Sequence, residues 1–335
     1  SVIRGDRPAW PQADHRQGRD GGGMNETTTS ATGRPRRGIS RRGLLGGALG
    51  GALALSGGAA WAVDRYLIEH VEVTDASALY QSGNPSAAST GRVAGTTYQG
   101  DNGTITVSTV HNGSGNDKVT YFVADAQLAT ATALRSAFAK DTFGNNVIEV
   151  PSAMAQRVGA VCAINGDYYG FRSTGIEIRN GAAFRDKGAR QGLAIYRDGA
   201  FALYDETATT AAKLINDGVW HSLSFGPGIV DAGQIVPGIE SVEIDTNVGN
   251  HSIQGNQPRT AIGMISPGHV VLVVVDVRST GYTELATIMT GLGCQVAYNL
   301  DGGGSSAMWF DNGIISRPRG SDKERGTSDI LYIAR

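Results

Sequence analysis

Only two cysteines, Cys162 and Cys294, occur among 335 residues, which excludes a disulfide-framework scaffold. None of the six histidines stands at the spacing of a paired metal ligand, so zinc is not expected. Charge of neither sign dominates: 29 Lys and Arg against 31 Asp and Glu leave a formal net charge of -2. Without a basic excess to meet a phosphate backbone, a nucleic-acid partner is not expected. Phenylalanine is scarce at 8 while glycine reaches 48, a balance that points to many turns and short strands rather than a helical bundle. A chain of this length, 40% hydrophobic and 18% charged, still buries one sizeable core or two modest ones.

The one concentration of like charge lies at the start. Residues 1–43 hold nine arginines, no lysine and four acids among Gly, Thr and Ser, and residues 1–39 are expected to be disordered. Ser40-Arg41-Arg42-Gly43-Leu44-Leu45 then leads into a Gly/Ala/Leu run closed by Ala60-Trp61-Ala62. That order reads as a twin-arginine export signal over 40–62 with an A-x-A cleavage site; a retained membrane anchor is the alternative. Met24 is the expected initiator, which places residues 1–23 upstream of translation. The expected partner is the twin-arginine export machinery, and the expected location is secreted or envelope-associated. Contact with a membrane would come only through the apolar segment, if it is not cleaved. Residues 63–100 read as a linker or domain entry and 101–335 as the main folded domain. Each cysteine lies in an apolar run and is expected as a buried free thiol, with a bridge as the alternative.

Along that domain the elements are mostly strands. Residues 104–110 and 119–123 flank a polar turn and form a hairpin. Residues 127–139 are expected to be helical, and Ser152 to cap a short helix before the strand ending at Asn165. Residues 239–257 read as a long surface loop beside the site. Residues 259–265 and 270–276 form another hairpin around Ser266-Pro267-Gly268, and 270–275, apolar on both faces, should be central. Leu285, Ile288, Met289 and Leu292 fall on one helical stripe ended by Gly293. Strand, helix and strand in that order predict a right-handed crossover between parallel strands. The expected class is α+β: a mixed, largely β-rich sheet flanked by short helices. Its site would lie at the carboxyl-terminal edge of parallel strands, with Asp276 and Asp301 on that edge.

Two strand-to-loop junctions carry the chemistry. Asn299-Leu300-Asp301-Gly302-Gly303-Gly304-Ser305-Ser306 places a carboxylate and two hydroxyls on a turn whose glycines let the backbone approach a ligand. Asn165-Gly166-Asp167-Tyr168-Tyr169-Gly170 repeats the Asn-x-Asp pattern, and the two are expected to face each other across one site. Asp-Gly-Gly-Gly is also how a chain makes a tight turn, and the asparagines also suit strand-end capping.

In order and spacing these two stretches, with Pro258-Arg259-Thr260-Ala261-Ile262-Gly263 between them, resemble the motifs of the phosphodiester glycosidase family. The resemblance covers roughly residues 100–335. It implies a glycosidase cleaving a sugar from a phosphodiester, with a glycan or glycan-phosphate as substrate. One position departs from the pattern: the eukaryotic enzyme has a second Gly where this chain has Asp167.

Such a bond breaks through an oxocarbenium-like state that a carboxylate pair ordinarily serves, and Asp301 with Asp167 is the obvious pair. The phosphodiester charge calls for a guanidinium, Arg259 first and Arg325 second. The amides of Gly302, Gly303 and Gly304 suit an anion nest, with Ser305 adding a hydroxyl. Asn165, Gly166, Asn299, Ser306 and Asp276 complete the expected substrate-binding set. Tyr168 and Tyr169 read either as a sugar platform or as core, and His221 is the one histidine kept as a site candidate. No cofactor is expected. Two alternatives remain: a phosphoesterase holding Mg²⁺ or Ca²⁺ through Asp167, Asp276 and Asp301, and a non-catalytic envelope-glycan binding module.

Overall fold

The computed structural model describes residues 70–76, 91–115, 118–242, 256–316 and 323–335. The arginine-rich residues 1–39, the twin-arginine segment 40–62 and residues 243–255 of the expected long loop lie outside the described residues. In chain order the framework is β1 (Gly103–Asn112), β2 (Val119–Leu128), β3 (Leu134–Phe138), α1 (Pro151–Arg157), β4 (Ala160–Asn165), β5 (Gly175–Arg179), β6 (Ala182–Lys187), β7 (Gln191–Tyr196), β8 (Phe201–Asp205), α2 (Ala211–Asn216), β9 (Val219–Leu223), β10 (Gly228–Asp231), β11 (Gln257–Ser266), β12 (His269–Thr280), α3 (Tyr282–Gly291), β13 (Val296–Leu300), β14 (Met308–Phe310) and β15 (Asp329–Ala334).

These strands make three sheets. The largest runs β10-β13-β11-β12-β2-β1 with one further short strand at the β10 edge and two at the β1 edge, a second runs β14-β4-β15-β3 with one further short strand at the β14 edge, and a third runs β6-β5-β9-β7-β8. The β-rich α+β expectation holds, with short helices at the flanks. Every strand pairing among the described residues is antiparallel, so the crossover joins no neighbouring parallel pair: β12 and β13 each pair antiparallel to β11 and run in the same direction on either side of it. β12 is already paired on one edge with its hairpin partner β11 and on the other with β2. After α3, β13 therefore finds only the free edge of β11 and pairs there antiparallel. The expected edge of neighbouring parallel strands is therefore not formed, although Val274 of β12 and Leu300 of β13 stand level on either side of Thr260. Asp276 is also not at a turn, because β12 continues through Thr280.

Residues 127–139 are the second departure. The chain leaves β2, makes one 3-10 turn at Ala131–Ala133 and enters β3, which is buried over its whole length. Leu128 and Leu134, six residues apart, make no helical stripe, and pairing of β3 with β15 decides the conformation. The other edge of β3 is closed by side chains of the third sheet. Asn180 accepts from Ser136 N (3.0 Å) and donates to Ser136 O (2.8 Å), while Trp220 Nε1 donates to Leu134 O (2.7 Å). His221 belongs to this closure. Its Nε2 donates to Leu134 O (2.9 Å) and its Nδ1 accepts from Asn180 N (3.3 Å), so burial pushes its pKa down to about 3. It is a neutral core histidine and not a site residue.

β12 alternates between two cores. Val270, Leu272 and Val274 face one shared with β4 and β15, and Val271, Val273 and Val275 face the other, covered by α3. Cys162 lies in the first core and Cys294 in the second, so they are not neighbours; both are free thiols pushed up to about 12 by burial. α1 exists, but Ser152 is not its cap: Val150 holds that place, Pro151 opens the helix, and Ser152 N donates to Glu324 Oε1 at 2.8 Å. Among the described residues no helix is long and apolar enough to cross a membrane.

Candidate active site

β4 is buried along its whole length and delivers Asn165 beneath the glycine-rich turn. One amide side chain then joins three parts of the chain. Its Oδ1 accepts from Thr260 Oγ1 on β11 (2.8 Å) and from Ala307 N (3.1 Å), and its Nδ2 donates to Asp301 O (2.7 Å). The two Asn-x-Asp junctions thus meet, as their sequences imply, through Asn165.

Gly166 follows for reasons of space. Its amide donates to Asp329 O (3.0 Å), and a Cβ on it would stand 2.2 Å from Asp329 Oδ1. Gly166→Ala is accordingly expected to cost roughly 1–3 kcal/mol of stability by overpacking, read as a lowered urea midpoint.

Asp167 turns inward. Its Oδ1 accepts from Tyr169 N (2.9 Å), and its Oδ2 accepts from Ser224 N (3.0 Å) and meets Arg179 Nη2 at 3.0 Å. Arg179, wholly buried, also meets Glu177 Oε2 (3.1 Å) and donates from Nε to Asp329 Oδ2 (2.9 Å). Three carboxylates therefore share one guanidinium. Burial works against ionised Asp167, but Arg179 and the two amides hold it below the usual carboxylate range. Burial and the neighbouring Asp167 push Glu177 and Asp329 up instead. With both oxygens engaged and 1% exposure, Asp167 supports the junction, and its expected place in an acid–base pair with Asp301 is corrected to that role. Arg179, Glu177 and Asp329 were not singled out from sequence.

Asp301 is different. It is half-buried at the mouth of the turn, and burial raises its carboxyl to about 6 against the pull of the Ser305 hydroxyl, Arg172, Arg325 and the Gly302 amide. The Gly302 amide thus serves Asp301 itself, which removes it from the expected anion nest. Gly302 must be small because a Cβ would meet Pro258 O at 2.7 Å, whereas Gly303 takes a φ of +63°. Gly304 faces Arg325, whose Nε and Cζ lie 3.3 Å from the place of a Cβ. Asn299 ties the Gly226-Pro227 loop through Nδ2 to Gly226 O (2.9 Å), leaving Oδ1 without a partner among the described residues. Ser306 Oγ, equally buried, is also unpartnered there. Two buried polar atoms without a partner among the described residues thus belong to the same stretch of chain as Asp301.

Arg259 precedes Thr260, which pairs with Leu300, so its backbone runs beneath the glycine turn, where a Cβ on Gly302 would stand 3.8 Å from its Cα. Its side chain is buried against Tyr282 of α3, the guanidinium 4.2 Å from the ring centre; Arg172 and Arg325 act on the Asp301 carboxyl. Asp276 is buried on β12, and Asp167, Asp276 and Asp301 form no metal-ligating cluster among the described residues. Tyr168 remains half-buried, stacked on Phe171 at 4.7 Å with Arg172 5.4 Å from its ring centre, whereas Tyr169 is core, donating from its hydroxyl to Ser328 O. Arg172 stands only five residues past Asp167, a proximity that could have flagged it.

Residues 158–334 match the family model described as phosphodiester glycosidase. The SPbeta prophage-derived uncharacterized protein YomE of Bacillus subtilis (strain 168) is 31% identical over an alignment of 207 residues that covers 57% of this chain and 30% of that protein. The catalytic domain of zebrafish N-acetylglucosamine-1-phosphodiester alpha-N-acetylglucosaminidase, auto-inhibited by its pro-peptide, shares the fold. Its TM-score is 0.56 at 19% identity, over 80% of this chain and 89% of that one. A hypothetical protein from Synechocystis aligns with a TM-score of 0.49 at 13% identity, over 68% of this chain and 61% of that one.

Proposed function

Because the chain belongs to the phosphodiester glycosidase family, we propose that it hydrolyses the bond between the anomeric carbon of a sugar and the oxygen of a phosphodiester. Water is consumed, C1–O breaks, and a free sugar and a phosphomonoester leave. The observation that carries the proposal is Asp301: a half-buried carboxyl raised to about 6, on a glycine turn, with two guanidiniums acting on it. Phosphate departs readily, so the site needs a strong acid less than it needs a nucleophile or base and a fixed positive charge. Ionised Asp301 serves as that nucleophile or base. Tyr168, half-buried, is suited to the face of a sugar ring. The natural substrates proposed are phosphodiester-linked glycans of the cell envelope or extracellular space. The protein would reach them by the twin-arginine route that Arg41 and Arg42 suggest.

The test is hydrolysis of a panel of sugar-1-phosphodiesters by residues 63–335, with and without EDTA. Free sugar together with a phosphomonoester, indifferent to EDTA, is the expected result. Release of sugar phosphate would mean that the other ester bond is cut and would overturn the proposal.

A further inference from the structure

We propose that Arg172 and Arg190 together form the anion subsite, each receiving one non-bridging oxygen of the phosphodiester. The proposal rests on the hydrolase reading and adds where the phosphate is held. Arg172 follows the 3-10 turn Tyr169–Phe171 and is 3% exposed. Its Nη1 donates to Ser224 O (2.8 Å), and its guanidinium carbon lies 4.9 Å from the Phe225 ring centre. Arg190, half-buried just before β7, reaches the same residue: Nη1 donates to Ser224 Oγ (2.8 Å) and to Ser224 O (3.4 Å), and Nη2 to Thr174 Oγ1 (2.7 Å). Two guanidiniums thus converge on one carbonyl oxygen.

Like charges brought this close repel, and Arg190 registers it: burial, then Arg172, lower its hold on its proton. The hydrogen bonds of its side chain go to uncharged oxygens of Ser224 and Thr174. The nearby Glu206 carboxylate instead accepts from the backbone amides of Ile176, Ala189 and Arg190. An arriving anion would offset the repulsion, and planar guanidiniums match the oxygens of a tetrahedral phosphate. The position is also apt for the reaction. Arg172 acts on the Asp301 carboxyl, and Ser224, on which both arginines meet, is fixed through its amide to Asp167. Phosphate held there lies beside the carboxylate that attacks its sugar.

The experiment compares wild type, Arg190→Met, Arg190→Lys and Arg172→Met. It reads KM and kcat on whichever diester of the panel is cleaved, and inorganic phosphate affinity by calorimetry. Arg190→Met is expected to raise KM and weaken phosphate binding by about 10–100-fold, the scale of a lost hydrogen bond to a charged group. Arg190→Lys should recover only part, because a point charge replaces a planar fork. A wild-type circular dichroism spectrum for Arg190→Met guards against misfolding, which the more buried Arg172 variant risks. Unchanged KM and phosphate affinity in Arg190→Met would overturn the subsite while leaving the hydrolase reading intact. If wild type cleaves no diester, that reading fails, and phosphate titration alone decides the subsite: binding lost in Arg190→Met supports it, and equal or absent binding in both overturns it.

Discussion

Asp301→Asn is expected to lower kcat on a cleaved sugar-1-phosphodiester by about 1,000-fold, within the range of a lost catalytic proton-transfer group. Asn keeps the size and the hydrogen bond from Ser305 while removing the charge that attacks C1 or activates water. The fold itself should not suffer. Burial raises the Asp301 carboxyl to about 6 in the folded protein, so its neutral form is the one the fold prefers. The sign follows from linkage: the contribution of such a group is fully present below its unfolded value and is lost as pH rises through about 6. At pH 8 the variant should therefore be at least as stable as wild type in urea, which separates a chemical role from a structural one. The same ionisation sets the pH profile. Activity of the wild type should fall as pH drops through about 6, because protonated Asp301 can neither attack nor accept a proton. A variant keeping a tenth of wild-type kcat, or a profile rising toward pH 5, would remove Asp301 from the chemistry.

Arg179→Met is the second large effect, on stability instead of rate. One guanidinium faces Asp167, Glu177 and Asp329 at 2.9–3.1 Å, all of them buried. Removing it leaves carboxylates in a medium that penalises their charge, and breaking a buried pair in this way costs about 3–5 kcal/mol. Urea denaturation at pH 7.5 measures it. The deficit should shrink as pH falls, because the remaining acids, with folded values raised further in the variant, take up protons and shed their charge. A deficit below about 1 kcal/mol, or one indifferent to pH, would show that the cluster does not hold the junction.

The sequence carries these two residues unequally. Asp301 is legible because three glycines and an Asn-x-Asp pattern mark it, and the likeness between the junctions is realised physically in the bond from Asn165 to Asp301. Hairpins with strong turn chemistry, such as Ser266-Pro267-Gly268 between β11 and β12, are equally plain. Arg179 is not, because in Ile176-Glu177-Ile178-Arg179 the alternation that signals a half-exposed strand is the same whether the charged face meets water or another sheet. Only the third dimension brings Asp167 and Asp329 to that face. Residues 127–139 mislead for a related reason: alanine suits a helix, yet what fixes β3 is its pairing with β15, nearly two hundred residues later. The crossover is legible in direction but not in neighbours, because that β11 stands between β12 and β13 cannot be read from element order once a hairpin has claimed an edge. Arg259 carries the charge its motif suggests, and its contact with Tyr282 is the part that no spacing in the sequence announces.

β15 has one more consequence, for the order in which the molecule assembles. It lies between β3 and β4 and supplies Asp329 to the guanidinium that also holds Asp167. None of these pairings is local in the chain, so each waits for a long loop to close before it returns any stabilisation. The junction at Asn165 is synthesised early yet acquires its support only when residues 329–334 arrive. Until then β4 has an open edge and Asp167 lacks part of its surroundings. Competence is thus gained late, and a chain interrupted before Asp329 would carry every residue of the glycine turn without the framework that supports it.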